Sequence, residues 1–187
     1  MKKHAHRLVR TSIAAALSAF VYVIAISIPA TSAQAQNAPK LIDVYGKWEA
    51  YTYSEEGQKV CYMGSQPTSA KGDYTQRGKI YVMVTHRPSL KLVNEVSFIT
   101  GYTYKDKSTV DLRIDSKKFS LFTHADSAWA VDAETDRKLV SAMKSGSTMV
   151  VVGYSSRGTK TTDTYSLSGF TAAYNAISKA CNTTPVN

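Results

Sequence analysis

Val110-Asp111-Leu112-Arg113-Ile114-Asp115 decides the fold class of this 187-residue chain. Apolar and charged residues alternate strictly, so a period of two puts Val110, Leu112 and Ile114 on one face of an extended strand and the charges on the other. Segments bounded by turn residues recur outward from it at about ten-residue spacing, the rhythm of an all-β domain. The candidate strands are Asp43–Tyr53, Gln58–Ser65, Lys79–His86, Glu95–Tyr102, Phe119–Phe122, Ser127–Val131, Met149–Tyr154 and Thr161–Leu167. Met149–Tyr154 is apolar on both faces and reads as a central strand covered on both sides. Residues 66–76, with Pro67 and Gly72 as breakers, read as a loop.

Two segments switch to the helical period. Leu139, Val140 and Met143 share a face in Glu134–Ser145, with Gly146 as a stop. Phe170, Ala173, Tyr174 and Ile177 form a stripe in Phe170–Ala180 that Cys181 extends. The expected architecture is mainly β: a single antiparallel sandwich or flattened barrel of about eight or nine strands with two short helices. It occupies 43–187 as one domain, after a short polar leader at 36–42.

Composition narrows the function. With 43% hydrophobic and 20% charged residues the chain folds as a globule. Two cysteines exclude a disulfide-dense mini-protein and a four-cysteine zinc site. Lys2, Lys3, Arg7 and Arg10 precede an uncharged apolar run from Ile13 to Ile28, Pro29 breaks it, and Ala33-Gln34-Ala35 has the small-x-small form of a signal peptidase site. A signal peptide over 1–35, cleaved after Ala35, delivers the protein to the periplasm or the medium; the other reading is an uncleaved anchor. No cysteine at the exit supports a lipid anchor. The formal charge of +9 falls to +5 in the mature chain, where the basic residues scatter over strand ends and no nucleic-acid motif accompanies them. In an oxidising compartment Cys61 and Cys181 are expected to pair, and with no Cys-x-x-Cys the bridge is structural rather than redox-active.

Catalytic signatures fail on spacing. Gly153-Tyr154-Ser155-Ser156-Arg157 lacks the second glycine of a nucleophile elbow. Ser141-Ala142-Met143-Lys144 matches Ser-x-x-Lys but has no companion element and reads as a polar helix face. His86 and His124 sit near strand ends and read as surface residues, leaving no metal centre and no cofactor site. Asp111 and Asp115 share their face with Arg113, which implies surface ion pairing. The densest polar pattern runs Ser155-Ser156-Arg157-Gly158-Thr159 and on to Asp163 and Tyr165. Arg157 on a tight turn among hydroxyls could hold an anion, or Gly158 makes a hairpin and Arg157 pairs with Asp163 across it. Tyr51, Tyr53, Tyr102 and Tyr104, with Tyr154 and Tyr165, are either half-buried packing residues or a contact patch for protein or glycan.

Taken in order, Trp48, Cys61-Tyr62-Met63, Gly101-Tyr102, Ala128-Trp129, Met143-Lys144-Ser145-Gly146, the Ser155–Thr159 turn, Asp163-x-Tyr165-Ser166-Leu167-x-Gly169-Phe170 and Ala180-Cys181 resemble the invasion associated locus B family over nearly all of 45–181. Many members carry a cysteine shortly after the first-strand tryptophan, where this chain has Thr52 and Tyr53, so their bridging pattern is not carried over and only the Cys61–Cys181 pair can form. The resemblance implies a small secreted or periplasmic protein of Gram-negative bacteria, with a part in host-cell entry for some members and no catalytic residues. The expected function is thus non-enzymatic, through contacts with a protein or an envelope or host surface. Rival readings are an envelope hydrolase or small-ligand binder at the Ser155–Thr159 turn, and a module that covers another protein's sheet edge.

Overall fold

The computed structural model describes residues 38–186, so the expected signal peptide and the first leader residues lie outside the described part. The strands are β1 (Lys40–Tyr45), β2 (Trp48–Glu55), β3 (Gln58–Ser65), β4 (Ser69–Gly72), β5 (Tyr81–Arg87), β6 (Leu92–Ile99), β7 (Thr109–Ile114), β8 (Lys117–His124), β9 (Ser127–Trp129), β10 (Thr148–Tyr154) and β11 (Lys160–Ser166). The helices are α1 (Ala133–Ser145) and α2 (Phe170–Ala180).

All eleven strands join one antiparallel sheet in the order β1-β2-β3-β5-β6-β9-β8-β7-β10-β11-β4. It is mainly β, as expected, but among the described residues it forms neither two stacked sheets nor a closed barrel, because β1 and β4 are its two edges. The sheet curls until the β1–β2 turn meets the end of β11. There the Lys47 N–H donates to Ser168 O at 3.1 Å. The Trp48 indole donates to Ser166 O at 3.1 Å.

The strand count rises above eight or nine for local reasons. Gly46, at φ +59°, turns the single expected strand Asp43–Tyr53 into β1 and β2, and β1 reaches back to take in Lys40–Ile42 of the expected leader. The expected loop at 66–76 contains β4, which pairs Ala70 with Asp163 on β11. β10 is flanked by β7 and β11, yet its pattern alternates, with Val150 and Val152 only half-buried, so it is not covered on both faces.

The alternation at Val110, Leu112 and Ile114 buries all three, while Asp111 and Arg113 are exposed. The curled inner face also buries Trp48, Met63, Val82, Phe98 and Met149. α2 covers it with Phe170, Ala173, Tyr174 and Ile177, each 0% exposed, and Phe170 meets Trp48 edge-on at 4.9 Å between centroids. Truncating such an anchor to alanine costs about 3–5 kcal/mol. The stripe ends at Cys181, which bridges to Cys61 on β3 with Cα atoms 6.0 Å apart, tying helix to sheet. α1 starts at Asp132, whose carboxylate accepts from the Thr135 N–H at 2.7 Å, and ends at Gly146.

His86 is not a surface residue: it is fully buried in β5 beside the disulfide. The period-two rule explains this, because Val82 and Val84 carry the inward parity and His86 continues it. Its Nδ1 accepts from the Asn94 N–H at 3.0 Å, so the neutral ring carries its proton on Nε2, 3.2 Å from Ser178 Oγ. Burial lowers its pKa to about 4.

Candidate functional site

Outward parity on the first strands assembles a tyrosine face. Trp48 and Ala50 point in, so Glu49, Tyr51 and Tyr53 point out; on β3 Cys61 and Met63 point in, and Tyr62 and Gly64 point out. Register places Tyr51 opposite Tyr62 and Glu49 opposite Gly64, and Met83 follows on β5. Tyr51 stacks on Tyr62 at 5.1 Å and Tyr53 meets Tyr62 edge-on at 5.8 Å. Together with Tyr81, Tyr51 and Tyr62 wall a shallow concavity of about 670 Å³ whose floor is Gly64 and Met83. A glycine in mid-strand leaves that floor without a side chain, as where another group approaches the backbone. The Tyr51 hydroxyl donates to Glu49 Oε2 at 2.5 Å, and this bond raises its pKa to about 12. Desolvation also raises the Tyr62 phenol, and both phenols are neutral at physiological pH, as any tyrosine is.

Of the expected patch, Tyr51 and Tyr53 belong to this face; Tyr102 and Tyr104 do not. They sit at a buried polar cluster with Tyr165, and Tyr104 and Tyr165 are 4% and 1% exposed. At its centre Asp163 pairs not with Arg157 but with Arg77, through two bonds of 2.7 and 2.6 Å. The Arg77 Nε donates to Thr100 O at 2.7 Å, and its guanidinium lies 4.9 Å from the Tyr102 ring centroid. The physical reason is parity again: Thr161, Asp163 and Tyr165 face inward on β11, whereas Arg157 sits on the exposed turn. Desolvation pushes the phenols of Tyr102, Tyr104 and Tyr165 above their ordinary range.

Above this cluster a polar cleft of about 320 Å³ opens between the segment after β4 and the β10–β11 turn. It is lined by Tyr74, Arg77, Tyr102, Ser155, Arg157 and Thr159 among others. Gly158, at φ +84°, makes the hairpin as read from the sequence. Ser155 is buried with its Oγ accepting from the Thr159 N–H at 3.1 Å, and Ser156 is exposed outside the lining. Three of the six expected site residues thus line the cleft, while Asp163 and Tyr165 lie in the core.

Two other chemical candidates, Lys144 and Asp115, are engaged elsewhere. The Lys144 ammonium donates to Val186 O and lies 5.8 Å from the Tyr174 ring centroid. The Asp115 carboxylate accepts from the N–H groups of Ser147 and Thr148 at 3.1 and 3.3 Å, and no ion pair joins it to Arg113. His124 is exposed. Sequence reasoning missed Arg77, Tyr62 and Tyr81. Strand parity with Tyr51 was a usable signal for the two tyrosines, but nothing local distinguishes Arg77 from any loop arginine.

Residues 48–178 match the family model described as Invasion associated locus B (IalB) protein. The chain belongs to the IalB family. The crystal structure of invasion associated protein b from Bartonella henselae is similar, with a TM-score of 0.54 at 16% identity, covering 75% of this chain and 96% of that one. At that identity the likeness is one of fold. No curated protein matches the chain. The IalB match takes in the whole tyrosine face and the Arg77–Asp163 pair. It begins after β1 and ends before Cys181, so one half of the cystine lies beyond it.

Proposed function

We propose that this IalB-family protein is an exported, non-enzymatic contact module that docks a protein at the cell envelope or a host surface through its tyrosine face. The carrying observation is the set Tyr51, Tyr53, Tyr62 and Tyr81 gathered on one outward sheet face around the bare backbone of Gly64. Tyrosines supply broad amphipathic contact area with few rotatable bonds to freeze, which suits a recognition surface. Export is supported by the charged, apolar and Ala-x-Ala segments in order before residue 36, and by the Cys61–Cys181 bridge, which persists in an oxidising compartment. A non-enzymatic role is supported by the engagement of Lys144 and the enclosure of His86.

In-cell cross-linking of the tagged protein, paired with a Tyr51→Ala/Tyr62→Ala variant of unchanged melting temperature, tests the reading. One reproducible envelope or host-surface protein captured by the parent and lost in the variant is expected. Equal capture by both, or none from protein shown to be folded and exported, overturns it. Fractionation and N-terminal sequencing test export, with a mature start at Gln36 expected.

A second reading rests on Arg157, which has no ion-pair partner among the described residues and stands at the lip of the 320 Å³ cleft. There the module holds a small anion. Calorimetric titration with inorganic phosphate, and its loss in Arg157→Ala, checks this.

A further inference from the structure

A separate groove of about 610 Å³ opens where β9 ends. β9 has only three residues, pairs with β6 on one side and β8 on the other, and then yields to α1. From Lys117 to Leu121, β8 is therefore paired on its β7 side alone among the described residues. The two-residue turn at Asp115-Ser116 makes Ile114 and Lys117, Leu112 and Phe119, and Val110 and Leu121 the mutually bonded pairs. The backbone groups of Lys118 and Ser120 consequently face away from β7. Both residues are exposed, and these groups have no hydrogen-bond partner among the described residues.

The groove itself is apolar. Phe122 and Trp129 stack at 5.6 Å, with Leu92 and Val93 as further wall. Phe122 and Leu92 keep 47% and 46% of their surface in water, so the apolar wall of the groove is open to a partner. The charges around it are unequal in their commitments. Glu95 is paired with Arg87 at 3.1 Å, Asp132 caps α1, and Asp136 accepts from the Val96 N–H at 2.9 Å. Lys91 and Arg137, in the same lining, have no ion-pair partner among the described residues.

We propose that this groove binds an extended peptide segment of a partner protein, one carrying a bulky apolar side chain flanked by carboxylates. The apolar side chain rests on Phe122, Trp129 and Leu92, the carboxylates meet Lys91 and Arg137, and the peptide backbone continues along the unpaired edge of β8 at Ser120 and Lys118. The free strand edge selects a peptide, and Lys91 and Arg137, which no ion pair engages among the described residues, favour an acidic one. This surface is independent of the tyrosine face.

The chain holds two tryptophans, and Trp48 is fully buried, so a fluorescence change on titration reports Trp129. The probe is an acetylated peptide amide reading glutamate, leucine, phenylalanine, leucine, aspartate, glutamate. A saturable change is expected, at least tenfold weaker for the same peptide with lysine at each acidic position. Lys91→Glu/Arg137→Glu, at surface positions, should reverse that preference, and Leu92→Glu should abolish binding at an unchanged melting temperature. Tyr62→Ala should leave peptide binding intact, which separates this proposal from the tyrosine-face reading. No saturable response, equal responses to the two peptides, or unchanged binding in both variants overturns it. A response to decanoate but not to peptide gives the groove to a lipid chain. A concentration-dependent dimer that Leu92→Glu dissolves gives it to a second copy. Either result also overturns the proposal.

Discussion

Breaking the Arg77–Asp163 pair tests the account of the polar cluster most directly. Both side chains are nearly enclosed, at 4% and 2% exposure, and two hydrogen bonds join them. The guanidinium also holds the carbonyl of Thr100, anchoring the segment between β4 and β5 to the sheet. Asp163→Leu leaves a buried guanidinium without its counter-charge, and Arg77→Met leaves a buried carboxylate among phenols. Either should cost about 3–5 kcal/mol. For a domain of this size that lowers the melting temperature by about 6–20 °C. The double variant removes both charges, so it should cost less than the sum of the singles by about 2–4 kcal/mol of coupling. Arg87→Met is the control, since its pairs with Glu55 and Glu95 are partly exposed, and it should cost under about 1 kcal/mol. Equilibrium urea unfolding, with the denaturant slope checked across variants, gives all four values. Singles that each cost under about 1 kcal/mol, or a double equal to their sum, would refute the reasoning.

Three more outcomes are expected. Cys61→Ser/Cys181→Ser frees a chain whose bridge spans a sequence separation of 120. It should lose about 5 kcal/mol in oxidising buffer on the chain-entropy model, read as a fall in urea midpoint, and an unchanged midpoint would sink the staple. His86 is held neutral with its pKa lowered to about 4, against about 6.5 in the unfolded chain. The unfolded state binds the extra proton first, so this contribution is present above pH 6.5 and about 3 kcal/mol of it is lost as pH falls to 4. His86→Gln should flatten that slope in thermal melts taken across the window. Asp136 runs the other way: burial raises its pKa to about 6, so its ionised form opposes folding above that pH and the penalty fades as pH falls toward 4. Asp136→Asn, which keeps an acceptor for the Val96 N–H, should gain about 1 kcal/mol at pH 7.5 and nothing at pH 4, the gain being discounted for solvent screening.

Much of the secondary structure was legible because it depends on local periodicity. Val110, Leu112 and Ile114 announced β7, and the stripe from Phe170 to Ile177 announced α2 with the bounds it has, carrying Cys181 to the core as its spacing implied. The hairpin at Gly158 was readable from turn chemistry, and the family from a series of short motifs in order. β4 was not readable, because Ser69–Gly72 has no apolar alternation and becomes a strand only through pairing with β11. His86 escapes local reading because an inward strand position two residues before Pro88 looks, in one dimension, like a strand end.

The candidate site divides along the same line. Strand parity, a property of neighbours in the chain, puts Tyr51 and Tyr53 on one face of their strand and leaves open whether that face is packed or exposed. Which tyrosines join them depends on register, which brings Tyr62 alongside, and on tertiary packing, which buries Tyr104 with Tyr165 and leaves Tyr102 half-buried beside them. The ion pair followed distance in space: Arg77 reaches Asp163 across 86 residues, while Arg157, six positions away, is held on a turn that points outward. Periodicity is local and belongs to the sequence. Partnership between side chains belongs to the sheet, whose curl sets which distant faces meet.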